Sequence, residues 1–271
     1  MKNKSSNEKV TIFIIILFIL IMVILLVLYF LGIIGGKAPS VDIVLNKDRM
    51  ITYSKDKWKQ VLPKDYEKYD WDKFDVFEEG KKKGNYSLYI TDNKFYLFEE
   101  KDKERNSITT TEESLYLGGR IKSKFIEFDK EELTDKDNNY IHSVLLKEGV
   151  SNSDLNNYLR GYKVTYDFDN DDNKEELFVI SNMFAYSVNS NAYSLIFVKD
   201  NNKTTFIYKN VVKAKNRYSM CSATLLGLIK IEDSNDVNII TKCGYYSYSN
   251  NNEYGVYKNS DNKYELLLYI K

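Results

Sequence analysis

The sequence predicts an N-terminal transmembrane helix followed by a mainly β (α+β) domain, an antiparallel sheet or sandwich with one or two short helices. Three observations support this fold class. Residues 11–36 contain no charged side chain, the remainder is rich in Tyr, Phe, Ile, Val and Thr, and short apolar runs alternate there with polar turns. Those residue types favour strands, whereas Ala, the best helix former, is scarce.

The uncharged stretch is long enough to span a bilayer. Residues 12–34 are almost entirely Ile, Leu, Val and Phe, and a helix crosses the hydrocarbon layer with about 20 apolar residues. A cleaved signal peptide has an apolar core of only about 7–15 residues, so we expect an uncleaved anchor. Three lysines before the span and the large size of the part after it favour a cytoplasmic N-terminus and an extracytoplasmic domain.

This interpretation gives the chain a simple organisation along its length. The predicted parts are a short cytoplasmic tail (1–10), the transmembrane helix (11–36), a juxtamembrane stalk (37–54) and an extracytoplasmic β-rich domain (55–271), with candidate sub-units 55–150 and 151–271.

Within the β-rich domain, two stretches depart from strand patterns. Residues 55–79 are dense in charge and aromatic rings, which predicts a loop with short helical pieces. Thr134 precedes a helical spacing of apolar residues, with Asp137 three positions later and Gly149 at the end. This is an imperfect capping box followed by a glycine stop, so we predict a helix there. A second short helix is predicted over residues 153–159.

Strands are predicted where apolar, β-branched and aromatic residues cluster between polar turns. In chain order these are residues 41–45, 86–90, 95–98, 115–117, 121–128, 162–168, 177–181, 193–199, 205–208, 224–231, 237–241, 254–258 and 264–270.

The charge balance limits the classes of binding partner, and the cysteines bear on the redox state of the compartment. The chain has 39 Lys+Arg and 39 Asp+Glu, so no basic field attracts nucleic acid, and we expect no nucleic-acid partner. Cys221 and Cys243 are the two cysteines. Outside the cell they are candidates for a disulfide, and the alternative is a pair of buried thiols. They do not form a metal-binding pattern, because no C-x-x-C motif and no nearby His accompanies them.

The stretch richest in chemistry is an acidic loop between two predicted strands. Its carboxylates recur at every second position, so a curled loop points them into one concavity. Calcium takes six to eight hard oxygen ligands at about 2.3–2.6 Å, which such a loop can supply. The predicted calcium ligands are the side chains of Asp167, Asp169, Asp171 and Glu175 and the backbone carbonyl of Asn173. The alternative is a solvated acidic turn without an ion, since Asp and Asn are common turn residues.

The pattern Asp-x-Asp-x-Asp-x-x-x-Glu within residues 163–180 resembles the calcium loop of FG-GAP/VCBS repeats. That resemblance implies an extracellular setting, a structural calcium ion and propeller-blade-like repeats. The chain departs from the family at Asp172, where the family usually has Gly in a left-handed turn. A degenerate second copy is suggested at residues 228–241. Two copies do not make a closed propeller, which needs at least four blades.

No motif predicts catalysis, so we expect a protein that is not an enzyme. The single His, His142, lies on the predicted helix, and no G-x-S-x-G, H-E-x-x-H or P-loop pattern occurs. The sequence favours a membrane-anchored, calcium-braced binding or interaction module, with the lipid bilayer and a protein or carbohydrate ligand as partners. Two alternatives stay open: an accessory or sensor subunit of a membrane complex, and a cell-surface hydrolase with an unrecognised carboxylate site.

Overall fold

In a computed structural model, the chain divides into two compact units, Met1–Ser40 and Val41–Lys271. The structure describes residues 4–30, 40–66, 73–99, 107–108, 114–119, 123–155, 159–169, 171–182, 191–201, 203–213, 216, 220–231, 237–245, 248–260 and 263–271.

The first unit contains one α-helix, α1, over Lys4–Phe30. Its side chains are described from Ile14 to Val27; all of them are apolar, and they are 43–63% exposed. Within the residues that the structure describes, no helix is long and apolar enough to cross a membrane. Residues 31–36 of the predicted span lie outside the described residues.

The second unit is mainly β, as the sequence predicted. Its helical segments are α2 (Asp135–Lys147) and two single 3-10 turns, Pro63–Asp65 and Asn152–Asp154. Its described strands are β1 (Val41–Asn46), β2 (Arg49–Ser54), β3 (Lys57–Val61), β4 (Lys73–Glu78), β5 (Lys81–Thr91), β6 (Lys94–Glu99), β7 (Ser107–Ile108), β8 (Ser114–Gly119), β9 (Ser123–Ile126), β10 (Arg160–Tyr166), β11 (Glu175–Ser181), β12 (Ala192–Asp200), β13 (Lys203–Val212), β14 (Cys221–Ile231), β15 (Val237–Tyr245), β16 (Tyr248–Ser260) and β17 (Lys263–Ile270).

The described strands pair antiparallel in three sheets. The eight-stranded sheet has the order β3-β2-β1-β8-β4-β5-β6-β7, the four-stranded sheet β10-β11-β12-β13, and the five-stranded sheet β17-β16-β15-β14-β9. Most neighbours are consecutive in sequence, which is the topology of a meander. The exceptions are β8, which lies between β1 and β4, and β9, which pairs with β14.

The five-stranded sheet lies between the other two sheets. On β15, Ile239 packs into the core shared with the four-stranded sheet, whereas its neighbour Ile240 packs into the core shared with the eight-stranded sheet. Successive side chains of a strand point to opposite faces, so a strand in a central layer must be apolar at nearly every position. This requirement explains the apolar stretch of residues 225–229 in β14 and the adjacent Ile239 and Ile240 in β15.

Helix α2 covers the outer face of the four-stranded sheet. Ile141 and Leu145 pack against Phe178 and Phe197 of β11 and β12. The capping box is complete: Thr134 Oγ1 accepts a hydrogen bond from the Asp137 amide at 3.2 Å, and the Asp137 carboxylate accepts from the Thr134 amide at 3.0 Å. The helix predicted from residue 134 is therefore confirmed.

Three features of the predicted organisation are corrected. Residues 41–54 are not a stalk but strands β1 and β2, with Val41, Ile43 and Ile51 fully buried. The stretch 55–79 contains β3 and β4, and its one described helical piece is the 3-10 turn Pro63–Asp65. No boundary separates 55–150 from 151–271, since β9 pairs with β14. The extended piece over 41–45 was predicted, whereas the charged composition of residues 55–79 concealed β3 and β4.

Two further predictions have mixed outcomes. In place of the helix predicted over residues 153–159, the described part shows only the 3-10 turn Asn152–Asp154, and residues 156–158 lie outside the described residues. Cys221 and Cys243 lie on the neighbouring strands β14 and β15 and form a disulfide, with their Cα atoms 5.4 Å apart. That distance is inside the limit of about 7 Å for a bridge.

Candidate metal centre

The acidic loop connects β10 to β11 at one end of the four-stranded sheet. The hairpin closes at the Tyr166–Glu175 pair, so the intervening acidic residues lie beyond the ladder. Phe168 is buried in the core between the four- and five-stranded sheets. This ring anchors the loop, because withdrawing a buried Phe side chain from the core costs about 1.5–3 kcal/mol.

The first acid of the loop shapes the backbone. The Asp167 carboxylate accepts hydrogen bonds from the amides of Asp171 (3.1 Å) and Asp172 (3.2 Å), which folds the loop back on itself. Asp172 has φ +69°. It is thus in the left-handed region, where Asp and Asn are tolerated better than most residues other than Gly. The loop curls at the position where the FG-GAP/VCBS pattern has Gly.

Two neighbouring acids leave the loop in opposite directions. Glu175 is only 5% exposed, and one of its carboxylate oxygens accepts a hydrogen bond from the Phe168 amide at 2.7 Å. Glu176 instead forms ion pairs with Lys163 (2.7 Å) and Lys199 (2.5 Å). The alternation of side chains along β11 therefore gives the first glutamate to the acidic cluster and the second to an ion-pair network.

The structure brings together the four predicted carboxylate ligands. One oxygen from each of Asp167, Asp169, Asp171 and Glu175 lies within 4.8 Å of the others. Two oxygens on opposite sides of a calcium ion are about 4.6–5.2 Å apart, so this spread matches the diameter of one coordination sphere. Asn173 donates from its backbone and side-chain amides to the Asp171 carboxylate, at 2.8 and 3.1 Å. Its backbone carbonyl as a ligand stays a prediction.

The cluster concentrates negative charge in a partly desolvated place. Burial, and then the charges of Asp169, Asp167 and Asp171, raise the pKa of Glu175 to about 7, although the Phe168 amide opposes this shift. Burial and the charge of Asp171 likewise raise the pKa of Asp169. Hydrogen bonds from Asn173 lower the pKa of Asp171. Without a cation, the interior part of the cluster therefore holds a proton more readily than ordinary carboxylates do.

A small cavity adjoins the acidic loop, and it brings in residues that the sequence did not indicate. Its volume is about 20 Å³, room for a water molecule or a bare ion and too little for an organic ligand. Asn259, on β16, is one of the lining residues, and its Oδ1 atom is fully buried without a hydrogen-bond partner among the described residues. The cavity is lined by Asp169, Glu175, Val198, Asp200, Lys203, Thr205, Asn259 and Tyr264.

The buried amide oxygen bears on what the cavity holds. A buried acceptor left without a donor costs about 1–3 kcal/mol, and such atoms in native proteins commonly face a water molecule or an ion. Asn259 Oδ1 is a hard oxygen of the kind that calcium prefers. Asp200, the last residue of β12, adds a carboxylate to the same lining. Neither residue is near the loop in sequence, so spacing alone did not reveal them.

The predicted second copy of the loop is only partly visible. Residues 228–231 and 237–241 belong to β14 and β15 and pair in antiparallel register. The acidic turn between them, residues 232–236, lies outside the described residues.

No protein-family model, curated protein or solved structure matches this chain. The resemblance to FG-GAP/VCBS repeats, carried by residues 163–180 and the degenerate copy at 228–241, stays a prediction.

The raised pKa of Glu175 predicts how pH acts on the cation-free protein. Between pH 4.5 and about 7 the folded protein keeps a proton on Glu175 that the unfolded chain has released. The folded state then binds more protons, so its stability falls as pH rises through this window, by on the order of 1–3 kcal/mol. Thermal melting in chelator at pH 5 and pH 8 measures this fall, which Glu175→Gln should diminish. Identical pH dependence of the two proteins would show that Glu175 has an ordinary pKa.

Proposed function

We propose that this protein is a membrane-anchored, extracytoplasmic binding module, without catalytic activity, whose domain is braced by a calcium ion. The observation that carries the proposal is the convergence of four carboxylate oxygens within 4.8 Å, next to a cavity lined by Asn259, whose buried amide oxygen has no donor among the described residues.

The case for the anchor rests on α1 and on the composition around it. From Ile14 to Val27 every side chain is apolar and at least 43% exposed. A helix that is apolar on all sides belongs in a protein core or in a membrane. Residues 11–36 carry no charge, and a stretch of that length suits the hydrocarbon layer of a bilayer. The lipid bilayer is therefore the partner that we propose for α1.

The extracytoplasmic placement is supported by two features of the second unit. The Cys221–Cys243 disulfide fits an oxidising compartment, because thiols in the cytosol are kept reduced. The acidic cluster is built from hard oxygens, and extracellular calcium modules bind at about 10⁻⁴–10⁻³ M, where calcium is abundant. Both features support the extracytoplasmic side that we propose for the domain.

Calcium fits the site better than magnesium does. The four carboxylates and the Asn259 side chain come from the acidic loop, β11 and β16, so the set offers more oxygen ligands than the one or two carboxylates that usually hold magnesium. Calcium accepts six to eight oxygens in flexible geometry, whereas magnesium demands an octahedron at about 2.0–2.1 Å and keeps several waters. The ion would offset the repulsion among the carboxylates and join the four-stranded sheet to β16. Its role is structural.

The experiment that tests the brace is thermal melting of the full chain in detergent, with calcium, with magnesium and with chelator. A ligand that binds only the folded state at 10–100 times its Kd stabilises it by about 1.4–2.7 kcal/mol. For a domain of this size we expect 10 mM calcium to raise the Tm by about 3–10 °C. No shift across millimolar calcium would refute the brace.

Two variants sharpen this test. Asp169→Asn removes a charge from the cluster and is expected to abolish most of the calcium-dependent shift. Asp172→Gly is the matched control within the same loop: Asp172 is not a proposed ligand, and its φ of +69° suits glycine. This control should keep the calcium response. Equal responses of the two variants would contradict the proposed ligand set.

A further inference from the structure

A second cluster of polar and aromatic side chains lies on the five-stranded sheet, outside the candidate metal centre. The Tyr269 hydroxyl donates a hydrogen bond to the Glu253 carboxylate, and the Tyr245 hydroxyl is also hydrogen-bonded to Glu253. We call Tyr245, Glu253 and Tyr269 the tyrosine–glutamate face. Its members come from β15, β16 and β17, three adjacent strands.

The strand register explains why these side chains meet. Cys243 is opposite Glu253, and Gly255 is opposite Tyr269. Side chains two residues apart point to the same face of a sheet. Glu253 and Tyr269 therefore share a face. The register shifts between Cys243 and Tyr245, and the Tyr245 ring packs against the same core as Cys243, which places it on the face of Glu253.

The face is accessible and held in place. Tyr269 is 46% exposed, and Tyr245 and Glu253 are half-buried. The two hydroxyls bind one carboxylate, so both rings are fixed before any ligand arrives, and a fixed ring loses little entropy on binding. Burial, then the hydrogen bond to Glu253, raises the pKa of Tyr245 to about 12, so the phenol is neutral at physiological pH.

The chemistry of this face favours a hydroxylated, uncharged ligand. A carboxylate offers about four lone-pair positions, and the two tyrosines use two of them. The remaining positions can accept ligand hydroxyls, while an exposed ring supplies an apolar surface for C–H groups. The Glu253 charge disfavours an anion. The Lys271 ammonium already lies 5.9 Å from the centre of the Tyr269 ring, which disfavours a second cation there.

We propose that the tyrosine–glutamate face binds neutral carbohydrate. This inference rests on the proposed binding function and assigns to it a place and a ligand class. The Tyr269 ring stacks against a sugar, and the Glu253 carboxylate accepts hydrogen bonds from sugar hydroxyls. Tyr245 positions Glu253.

The test uses the full chain in detergent on an array of immobilised neutral oligosaccharides of glucose, galactose, mannose and N-acetylglucosamine. The wild type should bind at least one of these sugars. Tyr269→Ala and Glu253→Gln should each weaken that binding by about tenfold or more, the loss of about 1.4 kcal/mol of contacts. Leu266→Ala is the matched control, since Leu266 is 47% exposed on the same strand; it should leave binding unchanged.

Two measurements keep the outcome interpretable. Tyr269→Phe retains the ring and loses the bond to Glu253, and its Tm beside that of Tyr269→Ala separates lost binding from lost folding. The calcium-dependent Tm shift is measured on the same preparations. A wild type that responds to calcium but binds none of the sugars overturns the carbohydrate inference and leaves the brace intact. Equal sugar binding by wild type and both site variants also overturns it.

Discussion

Removal of residues 1–40 is expected to transfer the protein completely from the membrane fraction to the soluble fraction. Residues 12–34 are almost entirely Ile, Leu, Val and Phe. Each such residue contributes about −0.3 to −0.6 kcal/mol to insertion at the centre of a helix, so about 20 of them contribute on the order of −10 kcal/mol. An equilibrium with this bias leaves essentially no soluble full-length protein. Cell fractionation and alkaline carbonate extraction, followed by immunoblotting, measure the distribution.

Two controls separate a spanning helix from a peripheral one. Replacing Ile19 and Leu20 by arginine costs about 2.5–3.5 kcal/mol for each charge near the helix centre, so this double variant loses half or more of the bias toward insertion and should be extracted more readily than the wild type. Replacing Lys2 and Lys4 by serine leaves the apolar segment intact and should not release the protein. An N-terminal tag that stays on the mature protein supports an uncleaved anchor. Release of wild-type protein by carbonate would contradict the anchor.

Loss of the Cys221–Cys243 disulfide is expected to destabilise the domain by about 3 kcal/mol. The bond closes a loop with a sequence separation of 22, and the chain-entropy model gives about 3 kcal/mol for a loop of that size. Both cysteines are buried in the core between the four- and five-stranded sheets. The expected fall in Tm is about 6–12 °C for a domain of this length. Melting the Cys221→Ala/Cys243→Ala double variant beside the wild type measures it.

The comparison with single variants tests whether the two sulfurs act as a pair. Each single Cys→Ala variant breaks the same bond, so both should be destabilised about as much as the double variant, and the effects should not add. Titration of thiols in the unfolded, unreduced wild type should find none. Two titratable thiols in protein taken from its native compartment would contradict the disulfide.

The part of the fold that could be predicted is the part encoded by local patterns. The Thr134–Asp137 cap and the Gly149 stop predicted α2, because these residues act on backbone groups next to them. β12 was predicted because both of its faces are buried, which leaves the apolar run of residues 195–198. In contrast, β3 carries lysines around a single buried Trp58. Its composition therefore resembled a loop.

The candidate metal centre shows the same difference between residues placed by local sequence and residues placed by packing. Asp167, Asp169, Asp171 and Glu175 could be grouped from spacing, since a single short loop positions all four. The cavity beside them could not be foreseen. Asn259 comes from β16, 84 positions after Glu175, and meets it only because two sheets pack face to face. The tyrosine–glutamate face could not be predicted from the sequence either, because the strand register decides which tyrosines lie next to Glu253.

The most direct test of the central claim is protease treatment of intact cells that produce the full chain with a C-terminal tag. Any cell wall or outer membrane is first made permeable. If the domain is extracytoplasmic and the N-terminus cytoplasmic, protease added from outside should remove the C-terminal tag from intact cells as fast as from lysed cells. A tag on the cytoplasmic end should be protected until lysis. Protection of the C-terminal tag in intact cells, with cleavage only after lysis, would contradict the account.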